Sequence, residues 1–240
     1  MRQIPSAVRL LSAAALPLAL TACSFIAPKA AAPTAGSPSA AAVPSTDPNK
    51  GLLTGKQLKA ALAPASFFAT GFTADPESMR DTGTTYTLPA TEEVPTPDCN
   101  KLGGTSWTEI TGITGVSFAQ NAYVNKNSSE EFAQEIDVYQ GTTATTVLDA
   151  LGKISKACPS FTDNGTHAKV KVTEKPLTGL GDGAWAITET STAWRGGTTL
   201  VAARVGTSVV TVLVSSATDN GAAGGTKLTK QMVASLTGKA

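Results

Sequence analysis

Residues 131–158 read EFAQEIDVYQGTTATTVLDALGKISKAC, and the hydrophobic period changes part-way along them. As far as Tyr139 the pattern alternates. Phe132, Gln134, Ile136 and Val138 take one side, and Glu131, Glu135, Asp137 and Tyr139 take the other. Successive side chains of a strand point to opposite faces, so an apolar row backed by an acidic row reads as a half-buried strand with its acids in water. From Val147 the spacing turns helical: Val147, Leu151, Ile154 and Cys158 fall on one stripe, which predicts a helix over residues 143–157, stopped by Pro159.

Strand patterns resume downstream at 168–174, 183–190, 198–204 and 208–215. Only Val205-Gly206-Thr207 separates the last two, a short glycine-bearing link that favours a hairpin. After the glycine-rich DNGAAGG, Leu228, Met232, Val233 and Leu236 outline a closing amphipathic helix. Upstream, strand-like runs occupy 66–73, 84–88 and 107–122. Before them, Thr54 with Gln57 three residues later matches a capping box and opens a short helix over 55–63, ended by Pro64. Helices at the start, middle and end, with hairpin-linked strands between them, favour the α+β class: an antiparallel sheet with helices packed on one side.

The chain has 240 residues, of which 41% are hydrophobic and 15% charged, with a formal charge of +1. That length suits one cored domain with appendages. A near-zero charge disfavours nucleic-acid binding, which calls for a basic excess. One histidine and three cysteines leave little for a His/Cys metal site, so no metal and no cofactor is expected.

The first 23 residues carry an address. Arg2 and Arg9 form a positive segment, the apolar run Leu10–Leu20 follows, and Leu20-Thr21-Ala22-Cys23 closes it. The run is too short to remain as a span, since crossing the hydrocarbon core takes about 20 apolar residues. Leu-Thr-Ala-Cys resembles the bacterial lipobox, which implies cleavage before Cys23, a diacylglyceryl group on its thiol and an acylated (palmitate-type) amine. An ordinary secretory signal that contains a cysteine is the alternative. Acyl chains contribute roughly 0.8 kcal/mol per buried methylene, enough to hold a protein at a bilayer. Residues 1–22 thus read as a lipoprotein signal peptide, and 23–50, rich in Ala, Pro and Ser, as a lipidated tether of about 27 residues. Residues 51–240 form the domain, at the extracytoplasmic face of the cell membrane. Cleavage removes Arg2 and Arg9 from the 19 basic side chains, leaving them one short of the 18 acidic ones, so the lipid has to provide the attachment.

Cys99 and Cys158 remain. In an exported protein such a pair is most simply a disulfide, here closing a loop of roughly 60 residues and contributing roughly 4 kcal/mol through chain entropy. A reactive thiol is the rival reading, without a basic neighbour in sequence to support it.

LLTGKQLKAAL at 52–62, the cysteine pair, GLGDGAWAI at 179–187 and ARVGTSVVTVLV at 203–214 together resemble the actinobacterial PknH-like extracellular domain. That domain occurs outside certain membrane serine/threonine kinases and in free-standing lipoproteins. The resemblance implies an α+β domain whose sheet and helices frame a ligand-binding cleft. Such domains can carry two disulfides, and this chain has cysteines for one.

No motif of enzyme chemistry stands out. Gly115-Val116-Ser117-Phe118-Ala119 lacks the second glycine of a nucleophile elbow, and His167, the lone imidazole, sits in a polar turn sequence. The acid pairs Glu92–Glu93 and Glu130–Glu131 read as solvated, and Asp182, between two glycines, as a turn former. Trp185 alternates with Ile187 as a core residue would. Trp107 follows a turn, and Trp194 with Arg195 stands in a polar, glycine-rich loop; these three are the candidate ligand contacts. Packing on the sheet edge is the plainer role for Trp194. The expectation is a non-enzymatic ligand-binding or sensor domain. Its partners would be the membrane, through the lipid, and an unknown small molecule or envelope component. The alternative is a structural lipoprotein that binds another envelope protein.

Overall fold

Two hairpins build the middle of the sheet, and the more buried of them is rich in β-branched residues. β9 (Gly197–Val205) and β10 (Ser208–Ser216) pair antiparallel, and nearly every residue in both is buried. β10 also pairs with β5 (Glu130–Val138), which in turn pairs with β4 (Ser117–Asn125). Outward on one side lies β1 (Phe72–Asp81), and on the other β8 (Gly183–Thr190), β7 (Lys169–Leu177) and β6 (Ser160–Thr162). The computed structural model describes residues 47–91 and 97–238, and its eight-stranded sheet runs β1-β4-β5-β10-β9-β8-β7-β6, antiparallel throughout. A two-stranded ribbon, β2 (Ala90–Thr91) with β3 (Ile113–Thr114), stands apart.

The class is α+β. α3 (Thr143–Ala157) carries the chain from β5 to the far edge of the sheet, and the β7–β10 meander returns it to β5. The helices, however, cover both faces instead of one. On the first face α2 (Trp107–Thr111) and α3 bury Trp107, Val147 and Leu151 against Ile187, Leu200 and Val209. On the second, α1 (Gly55–Ala61) and α4 (Ala222–Leu236) bury Leu58, Leu228 and Met232 against Ile136, Val212 and Val214. Central strands buried on both sides read as continuous apolar runs, which is how VVTVLV at 209–214 reads.

Two-sided burial also revises the acidic row of β5. Glu135 and Asp137 lie inside, on the face that carries Thr105 and α2, with 6% and 8% of their surface exposed. The expected strand at 66–73 is a 3-10 turn (Ala65–Phe67), with β1 beginning only at Phe72. Residues 84–88 form no strand, and 107–122 divides into α2, β3 and the start of β4. The glycine-rich AAGG belongs to α4. A Cβ on Gly225 would meet Val201 at 3.1 Å, and one on Gly224 would meet Phe132 at 3.0 Å, so these glycines let the helix lie close on the sheet.

The disulfide Cys99–Cys158 closes a 59-residue separation and ties the Cys99–Gly103 turn to the C-terminus of α3. Cys23, the signal segment and all but the last four tether residues (Asp47–Lys50) lie outside the described residues, as do Glu92 and Glu93.

Candidate functional site

α4 is one helix wide, about 10 Å, and adjacent strands are about 4.8 Å apart, so it can cover only about two strands. It lies across β9 and β10. The same face of β7 and β8 beside it stays open, and the step between helix and sheet forms a groove of about 780 Å³. Leu177, Ala186, Ala222 and Ala223 give its floor an apolar character, and Thr173, Thr188 and Thr226 add methyls and hydroxyls.

Lysines edge the groove. Alternation along β7 puts Lys169, Lys171, Thr173 and Lys175 on this face and Val170, Val172 and Glu174 on the other. Lys230 and Lys227 come from α4. The Lys227 ammonium stands 5.4 Å from the centroid of the Phe67 ring, a cation–π contact that holds it on the outer rim. Among the described residues Lys169, Lys171, Lys175 and Lys230 have no ion-pair partner. Glu174 contributes to the lining, yet its carboxylate accepts a hydrogen bond from Ser155 on α3, across the sheet. No carboxylate therefore offsets the lysines on the open face of β7 and β8.

A second polar feature lies under α2. The Thr105 hydroxyl donates to Glu135 Oε2 at 2.6 Å. Glu135 and Asp137 are neighbours on one face of β5 in a dry interior, where two negative charges together are disfavoured. Burial raises Glu135 to about 7, and burial with the neighbouring Glu135 charge raises Asp137 well above the carboxylate range. Sealed by Trp107, whose indole N–H donates to Thr211 Oγ1 at 2.7 Å, this pair is a closed polar core and not an open site. Among the described residues no group of three His, Cys, Asp or Glu side chains could hold a metal ion.

The fold is similar to that of the extracellular domain of PknH from Mycobacterium tuberculosis. The TM-score is 0.56 at 11% identity, covering 78% of this chain and 97% of that domain. No family model matches the sequence, and no curated protein does. At that identity the likeness establishes the fold, and the residue roles rest on this chain's own geometry.

The sequence-stated candidates scatter. Trp107 is 1% exposed and belongs to the core, out of reach of any ligand at the surface. Trp194 is half-buried in the β8–β9 turn, its indole N–H donating to Thr166 Oγ1 at 3.3 Å, and Arg195 beside it is exposed. Neither lines the groove. His167 sits in a tight turn at φ 56°. Asp182 shapes the entry to β8, accepting from the Gly206 N–H at 2.7 Å and pairing with Arg204 at 3.2 Å. The row of lysines that ends at the groove with Lys175 was missed, although KVKVTEK at 169–175 displays it at alternate positions. The sequence does not show which face of β7 lacks a helix.

Proposed function

We propose that this chain is a membrane-anchored extracytoplasmic lipoprotein whose α+β domain binds a ligand without transforming it, as a sensor-like module of the cell envelope. The observation that carries the binding reading is the groove between α4 and the β7–β8 face, a concave, part-apolar surface edged by Lys175 and Lys230, which have no ion-pair partner among the described residues. Sites for small molecules have roughly this character and a volume of roughly 300–1,000 Å³. The strands that form the floor are backed on their other face by α3, whose C-terminal end carries a disulfide suited to an oxidising compartment. The Arg2-to-Cys23 segment and the likeness to an extracellular domain support the location.

The alternative, an envelope protein that works through a protein partner, has less support. Among the described residues Met79 and Leu88 are the large hydrophobics left exposed, and an association patch calls for a contiguous apolar area of several hundred Å².

Two measurements test the proposal. Mass spectrometry of native material should find acyl groups on an N-terminal Cys23; an unmodified residue 23 removes the anchor. A thermal-shift screen of residues 23–240 against cell-wall sugars, peptides and lipids, charged and neutral, should find at least one compound that raises the melting temperature. No response across the screen removes the ligand.

A further inference from the structure

Resting on the groove as a binding site, we infer that its ligand is an anionic amphiphile, with its head group held by Lys175 and Lys230 and its apolar chain lying on the floor between β7–β8 and α4. Three observations converge on that class. The chain as a whole is close to neutral, with 19 basic and 18 acidic side chains, yet this face collects Lys169, Lys171, Lys175 and Lys230 with no carboxylate among them. Glu174, the one acid in the lining, is turned to the opposite face by its hydrogen bond with Ser155. Clustered like charges repel in the empty site, and an anion relieves that repulsion while gaining charge-assisted hydrogen bonds.

The floor supplies the second half of the specificity. Leu177, Ala186, Ala222 and Ala223 give small apolar contacts, and the threonine hydroxyls are already committed: Thr226 donates to the Ala222 carbonyl at 2.9 Å, and Thr188 pairs with Thr199 at 3.0 Å. The threonines therefore offer a ligand methyl groups and acceptor lone pairs but no free donor. A bare anion would leave this surface wet, and a neutral lipid would leave the lysines unused. A flat anionic bilayer fits less well than a single molecule, because the surface is a groove set beside a raised helix.

The test uses residues 23–240 with Cys23→Ser, exported and disulfide-bonded, so that no acyl chain competes. Titrations are run with decyl phosphate below its critical micelle concentration, decyl maltoside, inorganic phosphate, an acidic peptide and phosphatidylglycerol vesicles. Decyl phosphate should bind and raise the melting temperature, more weakly as salt increases. The double variant Lys175→Met/Lys230→Met keeps the aliphatic stems and should weaken binding by roughly tenfold or more. Lys153→Met, on α3 across the sheet, should leave binding unchanged. Equal binding of decyl maltoside, equal binding of inorganic phosphate, or no effect of the double variant overturns the inference. So does binding only of the peptide or only of vesicles. If neutral compounds raise the melting temperature and decyl phosphate does not, the ligand-binding reading stands and this inference falls.

Discussion

Glu135 and Asp137 sit two positions apart on one face of β5, and two carboxylates so close and so dry cannot both ionise cheaply. Because burial lifts Glu135 from its ordinary 4.5 to about 7, the folded protein holds that proton more tightly than the unfolded chain does. The linked stability is complete below about pH 4.5 and is lost as pH rises through about 7. A shift of this size corresponds to on the order of 3 kcal/mol. Denaturant midpoints should therefore fall between pH 5 and pH 8, and Glu135→Gln, which removes the titrating carboxyl, should flatten the profile. A midpoint that stays level or climbs over that range in the native sequence would refute the raised Glu135. Asp81, held low by the Gly83 N–H and then by Lys59, acts in the opposite sense but only in more acidic solution.

At the scale of elements, α4 combines weak local propensity with close packing. Two adjacent glycines disfavour a helix by roughly 1 kcal/mol each relative to alanine, yet Gly224 and Gly225 bring α4 down onto Phe132 and Val201. Gly225→Leu should cost several kcal/mol, roughly the penalty of overpacking a core together with a displaced helix. Urea denaturation would register it, and a change under about 0.5 kcal/mol would mean that α4 can stand further off the sheet. α4 also forms one wall of the groove, so ligand binding should weaken in the same variant. β7 shows how one element serves two surfaces: its valines enter the core beside α3 while its lysines face the groove.

For the molecule as a whole, two antiparallel groups of strands meet where β5 pairs with β10, and the disulfide ties the Cys99–Gly103 turn to α3, the helix that crosses from one group to the other. Replacing both bridge cysteines with serine should cost roughly 2–5 kcal/mol. The loss should be uneven. Hydrogen exchange should quicken first in the Cys99–Gly103 turn and in α2 beside it, while β9 and β10 keep their protection. Unchanged exchange in α2 would show that Leu102, Trp107 and Ile110 hold this cover without the bridge.

Local pattern was enough wherever an element's own residues settle its state. The spacing of Val147, Leu151 and Ile154 placed α3 at residues 143–157, and the β-branched runs placed β8, β9 and β10 within a residue or two. The pairing of Cys99 with Cys158 also followed from counting and compartment. Tertiary structure alone decided which surfaces lose water. The acidic row of β5 alternates as a solvent face would, but a loop and helix from elsewhere in the chain close over it, and Trp107 goes inside with them. The lysines of β7 stand free because one helix is too narrow to cover the sheet. Periodicity records the geometry of a segment, whereas burial depends on partners distant in sequence, and the groove is made entirely of such relations.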